Sequence, residues 1–225
     1  MVDGKINVLY EDNHIIVVEK IRNVLVQADN TKDLDMLMLL KHYIKLKYNK
    51  PGNVYLGLVH RLDRPVGGII VFAKTSKAAS RLSKSISEHN WQKIYLAVLC
   101  GTLKGKGILE DYLKKNEKTN KTIVDKDGKY SKLEYEVLGC KANKTLVKIN
   151  LITGRSHQIR VQFSSRGLPL WGDQKYNDKA VVKQQIALWA YAVKFVHPVT
   201  KKILEFRLLP KNEYPWTIFK IDNKL

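Results

Sequence analysis

The sequence predicts an α+β domain built on a largely antiparallel or mixed sheet, and three observations carry that prediction. Short runs in which apolar and polar residues alternate outnumber helical runs. Most of them are joined by brief turn-like segments, as in hairpins, rather than by helical crossovers. The few helical runs pair an apolar side with a basic one.

Residues 6–10 and 14–19 read as two short strands broken by the turn-like Glu11-Asp12-Asn13. Residues 33–48 read as a helix, with Leu37, Leu40 and Ile44 on one side and Lys41 and Lys45 on another, ended by Asn49-Lys50-Pro51-Gly52-Asn53. A loop over 60–66 leads into an apolar strand over 68–73. The next helix, 76–88, places Ala79, Leu82 and Ile86 on its packing side. Lys77, Arg81 and Lys84 form a basic stripe on another side, read either as a solvated face or as a phosphate track.

Strand signals dominate from there. Ile94, Leu96 and Val98 alternate with Lys93, Tyr95 and Ala97. Leu133, Tyr135 and Val137 alternate with Lys132, Glu134 and Glu136, and a further strand over 145–152 follows the turn Lys141-Ala142-Asn143-Lys144. A helix is expected over 157–166, with Gly167 closing it. Residues 186–196 and 203–208 read as a final hairpin around His197-Pro198-Val199-Thr200. No repeat, low-complexity tract or linker divides the sequence, so residues 1–225 are read as one domain.

Composition narrows the class of function. The chain is 44% hydrophobic over 225 residues, enough to bury a core. It has no run of about 18 apolar residues that would span a membrane as a helix. The start Met1-Val2-Asp3-Gly4-Lys5 lacks the basic and apolar parts of a secretory signal. Cys100 and Cys140 stand in apolar runs without CxxC spacing, which reads as two buried thiols in a reducing, cytoplasmic setting. The net charge of +19 points to a polyanionic partner, because each Lys or Arg set on a phosphate releases condensed counterions. A lysine-rich composition serving solubility alone is the plainer alternative.

Three segments concentrate polar groups. In His60-Arg61-Leu62-Asp63-Arg64-Pro65-Val66-Gly67-Gly68, an aspartate between two arginines enters a buried strand, where neighbouring positive charge would keep a carboxylate ionised and available as nucleophile or base. A simple loop salt bridge would use the same residues. On the strand beginning at Lys93, period two places Tyr95 opposite Ile94, Leu96 and Val98. If those three face the core, the phenol faces a cleft, where it could stack on a base or move a proton. Thr153-Gly154-Arg155-Ser156-His157-Gln158-Ile159-Arg160 lies at a strand-to-helix junction, where free backbone N–H groups favour anions. His60, Asp63 and His157 lack metal-ligand spacing, and adjacency does not make Ser156 and His157 a nucleophile–base pair.

Together these segments resemble the motifs of RluA-type pseudouridine synthases. His60-Arg61-Leu62-Asp63 with Phe72-Ala73-Lys74 resembles the catalytic motif, Lys93 to Gly101 the tyrosine strand, and Thr153 to Arg160 the third motif. Gly167-Leu168-Pro169-Leu170-Trp171-Gly172-Asp173 with Tyr176, and Phe195-Val196-His197-Pro198, resemble later segments, so the likeness runs in order along nearly the whole chain. The chain departs from the pattern twice. Lys20-Ile21-Arg22-Asn23 stands where the family often has Lys-Pro-x-Gly, and Val66-Gly67-Gly68 where Thr-Ser-Gly is usual.

The resemblance implies a bent, mainly antiparallel or mixed sheet with flanking helices and a central basic cleft. It also implies a cofactor-free, metal-free isomerisation of uridine to pseudouridine in ribosomal or transfer RNA, ribosomal RNA being slightly favoured. By the same likeness Asp63 is the nucleophile, Tyr95 packs on the base and can serve as general base, and Arg160 pairs with Asp63. Arg61 fills the space left by the flipped base. His60, Arg64, Lys93, Arg155, His157 and Gln158 are the remaining substrate and RNA contacts. No S4-like RNA-binding domain is read before the catalytic motifs, and a monomer is the default. A catalytically silent RNA-binding protein or RNA chaperone on this scaffold explains the charge as well, but not Asp63, Tyr95 and Arg160 together. A nuclease using His60 or His157 lacks a ligand cluster and a credible base.

Overall fold

The protein is described here by a computed structural model covering residues 6–28 and 33–222, so the opening segment read for targeting lies outside the described residues. Its contacts divide it into two compact units, Met1–Trp91 with Val193–Leu208, and Gln92–Ala192 with Leu209–Leu225.

In the first unit β1 (Val8–Glu11) pairs antiparallel with β2 (Ile15–Lys20), and β2 pairs antiparallel with β4 (Gly67–Ala73). The short β3 (Gly57–Leu58) also pairs with β4, and β11 (Ile203–Arg207) pairs with β10 (Leu188–Val196), whose last four residues belong to this unit. β4 is buried throughout, which explains why its sequence is continuously apolar rather than alternating. Ile15, Val17, Ile69, Val71, Leu82, Trp91, Val193 and Phe195 form the core.

The two helices of this unit lie close to their expected spans. α1 (Met36–Lys47) starts at Asp35, whose carboxylate accepts the Met38 N–H at 2.8 Å, and it buries Met36, Leu40 and Ile44. α2 (Ser76–Ser87) is capped by Thr75 and buries Ala78 and Leu82. Ala79 and Ile86 are only partly buried, so the packing side is turned by about one residue from the expected one. A tie invisible in the sequence joins β1, α1 and the end of β4 through the Glu11 carboxylate. It accepts from Lys47 at 2.7 Å, Lys74 at 2.6 Å, Tyr48 at 3.0 Å and Tyr43 at 3.2 Å. Burial pushes this carboxyl up, and the bonds from Lys47, Lys74 and Tyr48 outweigh it, holding the group at about 2.

The second unit carries β5 (Gln92–Cys100), β6 (Lys106–Asn116), β7 (Lys121–Val124), β8 (Lys129–Lys141) and β9 (Lys144–Leu151). The pairs β5–β9, β8–β9, β6–β8 and β6–β7 are all antiparallel. Ala142 and Asn143, at φ 50° and 52°, make the tight β8–β9 turn. β6 and β7 have no counterpart in the sequence expectation. β6 buries Leu109 and Leu113 on one face but exposes Ile108 and Tyr112 on the other, so its alternation is blurred. α3 (Gln158–Ser164) is shorter than expected, and Gly167, at φ 72°, turns the chain after it. The architecture is α+β with mainly antiparallel pairing, as predicted. Of the two cysteines, Cys100 is half-buried, but Cys140 is exposed rather than buried, its thiol donating to the Leu103 carbonyl at 3.1 Å. No helix among the described residues is long and apolar enough to cross a membrane.

Candidate active site

Within the first unit the segment from β3 to β4 carries His60, Arg61, Asp63 and Arg64. Asp63 is half-buried and its carbonyl accepts the Val66 N–H at 3.0 Å, which folds the loop back on itself. The loop is held from beneath by Lys20, the fully buried last residue of β2. The Lys20 ammonium donates to the carbonyls of Arg64 at 2.8 Å, Val66 at 2.7 Å and Ile21 at 3.1 Å. Burial pushes this amine down to about 7, while the charge of Asp63 pulls it up and that of Arg64 pushes it down.

Asn23 donates its N–H to the Arg64 carbonyl at 2.9 Å, and the Arg64 Nε returns a bond to the Asn23 carbonyl at 3.2 Å. Asn23 has φ 64°, a conformation that glycine adopts freely and asparagine tolerates better than most residues. The departure from Lys-Pro-x-Gly therefore keeps the turn. The second departure, Val66-Gly67-Gly68, puts a buried valine and two buried glycines, Gly68 at φ 118°, where a hydroxyl is usual.

The other members of the loop differ in availability. Arg61 is exposed and has no polar partner among the described residues. Arg64 is paired with Asp33 at 2.8 Å. His60 is partly buried; its Nε2 accepts the Val71 N–H at 3.0 Å and its ring meets Trp91 edge-on at 5.5 Å. These contacts make His60 a support of β4.

Within the second unit Tyr95 is nearly buried. It is 8% exposed, and Leu96, Ala97, Val98 and Leu99 are all at 0%. Along Leu96 to Leu99 both faces of β5 are buried, and Tyr95 pairs with Ile149 of β9. Lys93, at the start of the same strand, is half-buried.

Arg160 is buried and forms a two-point ion pair with Asp173, Nε to Oδ2 at 2.8 Å and Nη2 to Oδ1 at 2.6 Å. Its guanidinium also lies 5.1 Å from the centre of the Tyr176 ring. Asp173 in turn accepts the N–H groups of Lys175 at 3.1 Å and Tyr176 at 3.3 Å. The Tyr176 hydroxyl accepts the Thr122 N–H at 2.8 Å and lies 2.7 Å from Nδ1 of His157. Burial pushes that phenol up. His157, in the left-handed conformation at φ 53°, thus stands on a rigid support at the head of α3.

Gln158 is 3% exposed and fully committed inside the unit. Its carbonyl oxygen accepts from Thr153 and the Arg155 N–H, and its amide donates to Lys132 and Gln162. This bonding ties the head of α3 to β8 and to the segment before the helix. Arg155 is exposed, its Nε donating to the Tyr130 carbonyl at 3.0 Å. Lys20, Asp173 and Tyr176 were given no role from the sequence. The last two lie in a segment quoted for its likeness, and Lys20 is signalled only as a lysine closing an apolar strand.

The chain was compared with known proteins. The model of the RNA pseudouridylate synthase family matches residues 14–165. The chain is 32% identical over 225 residues to ribosomal large subunit pseudouridine synthase D of Vibrio cholerae, covering 91% of this chain and 67% of that protein. It is 31% identical over 210 residues to ribosomal large subunit pseudouridine synthase C of Escherichia coli, covering 88% and 64%. An uncharacterised RNA pseudouridine synthase of Aquifex aeolicus is 33% identical, with 94% and 72% covered. The chain thus spans about two thirds of the length of these relatives. Among solved structures, human RNA pseudouridylate synthase domain containing 4 superposes with a TM-score of 0.75 at 21% identity, over 91% of this chain and 89% of that one, a likeness of fold.

Proposed function

Because the chain belongs to the RNA pseudouridylate synthase family, we propose that it isomerises specific uridines to pseudouridine in structured RNA, with Asp63 as the nucleophile. The observation that carries this is the loop bearing Asp63, which resembles the family's catalytic motif and is held by hydrogen bonds from Lys20 and Asn23. A nucleophile on a clamped loop loses little freedom on reaching the reactive geometry.

In this reading the N1–C1′ bond breaks, the base turns, and C5 joins C1′. Nothing is oxidised or hydrated overall, so the reaction balances without a cofactor. Asp63 attacks or stabilises the sugar as the acidic groups of glycosidases do. Tyr95 packs on the uracil, and Arg160 is held in place by Asp173. The target nucleotide leaves its stack, at a cost of about a few kcal/mol, and the exposed Arg61 guanidinium fills the gap. Arg64, Arg155 and His157 contact the RNA. The relatives named for the large ribosomal subunit favour ribosomal RNA over transfer RNA as the substrate. We place the protein in the cytoplasm as a monomer.

The test uses wild type and Asp63→Asn, each incubated with total RNA from a cell lacking the gene, followed by mapping of pseudouridine at nucleotide resolution. New pseudouridine from wild type alone is expected. Binding by both proteins with product from neither, in assembled ribosomal particles as well as free RNA, would instead favour an RNA-binding protein without turnover.

A further inference from the structure

Lys93 differs from the many exposed lysines of this chain. It is half-buried at the start of β5, and burial alone pushes its ammonium below the usual lysine range. Among the described residues no side chain or carbonyl is bonded to it. Its Nζ lies close to Gly154, where an added Cβ would stand 3.6 Å away in ordinary contact. Lys93 and Tyr95 project from one face of β5, about 7 Å apart along the strand. A desolvated cation without a counter-charge is costly to maintain, which points to an anion that arrives with the substrate.

Resting on the function proposed above, we infer that Lys93 is a catalytic residue whose ammonium takes up the negative charge of the uracil after it leaves the ribose. When the N1–C1′ bond breaks, its electron pair stays with the base, and the charge spreads over N1 and the ring oxygens. The carboxylate of Asp63 holds the electron-poor sugar carbon. Lys93 keeps all its protons and donates a hydrogen bond to a uracil oxygen. When C5 joins C1′, the carboxylate is released, C5 gives up its proton and N1 gains one, so charge and atoms balance. A backbone phosphate is the less fitting anion. Tyr95 is only 8% exposed, so what reaches its side of β5 is a base that has left the stack, and Lys93 shares that side. The surface has many of the 40 Lys and Arg for phosphates.

The experiment measures single-turnover rate, RNA affinity and pH profile on a transcript carrying a uridine that wild type modifies, for wild type, Lys93→Met and Lys93→Arg. Lys93→Met is expected to slow the chemical step about 10²–10³-fold, with affinity and its salt slope unchanged. Lys93→Arg should recover part of the rate. The wild-type rate should fall on the alkaline side as the ammonium loses its proton, and that limb should move up in Lys93→Arg, whose guanidinium stays charged. Weaker binding with a salt slope shallower by about one and an unchanged chemical step would make Lys93 a phosphate contact and overturn the proposal. Unchanged rate and affinity would overturn it too. Should Lys93→Met not fold, an alkaline limb that stays in place in Lys93→Arg would do the same. A wild type that makes no pseudouridine in any RNA defeats the proposed function, which is a separate failure.

Discussion

Removing the carboxylate of Asp173 should damage the second unit more than any surface change. Arg160 and Asp173 are joined at 2.8 and 2.6 Å, with side chains 6% and 0% exposed. In Asp173→Ala the guanidinium stays buried without its main counter-charge, and the Lys175 N–H loses the carboxylate it donates to. Breaking one partner out of a buried pair costs about 3–5 kcal/mol. In a chain of this size that corresponds to a drop in Tm of about 6–20 °C. Most of the cost is the stranded charge, so Arg160→Met in the same chain should restore part of the loss. The assay is thermal and urea unfolding of the two single variants and the double variant, closed as a double-mutant cycle. A loss in Asp173→Ala below about 1 kcal/mol, or losses that simply add in the double variant, would refute a strongly coupled buried pair.

Other expectations follow from the same accounting of charge and burial. Lys20→Met removes the donor that the carbonyls of Ile21, Arg64 and Val66 share and should destabilise by more than about 1 kcal/mol. The folded value of Lys20, about 7, lies below its ordinary 10.5, so its contribution is present above 10.5 and is lost as pH falls through about 7. The Tm of wild type should therefore carry a rising component between these values that Lys20→Met lacks, as scanning calorimetry at several pH values would show. Glu11 adds a second pH-dependent component at the acid end. Held at about 2 instead of 4.5, it stabilises above 4.5 and loses that effect as pH falls through about 2. Screening at Lys47, whose side chain is 44% exposed, leaves an effect of about 1–2 kcal/mol, which acid titration of Glu11→Gln against wild type should find missing. RNA affinity should fall by several decades as salt rises from low to physiological if about six or more phosphates are neutralised. A flat response in a filter-binding series would mean that the charge of +19 is not used on RNA.

The fold was legible in the sequence because it depends on local signals. Asp35 and Thr75 cap helices where the apolar periodicity begins, and Ala142-Asn143 supplies the left-handed pair that a tight hairpin requires. What was hidden depends on partners distant in sequence. Nothing near Glu11 announces that Lys47 and Lys74 converge on it, and nothing near Arg160 announces Asp173. The near-burial of Tyr95 was hidden as well, because alternation gives the side of a strand but not what lies on it. β6 was missed for a related reason, since Ile108 and Tyr112 lend its exposed face the look of a core. The inward bonds of Gln158 were hidden too, because polarity beside a helix start looks the same whether its bonds run inward or outward.

The composition of the first unit has a consequence for synthesis in the cell. Its core needs Val193 and Phe195, yet Trp91, against which Phe195 stacks at 4.4 Å, leaves the ribosome long before them. The whole stretch Gln92–Ala192 must be made in between, which at ordinary elongation rates takes roughly 5–20 s. For that interval a nascent sheet displays an apolar flank with nothing of its own to cover it. The chain therefore has a window in which a holding chaperone would find a ready grip, and slowing translation within that stretch should lengthen the window while leaving the finished protein unchanged.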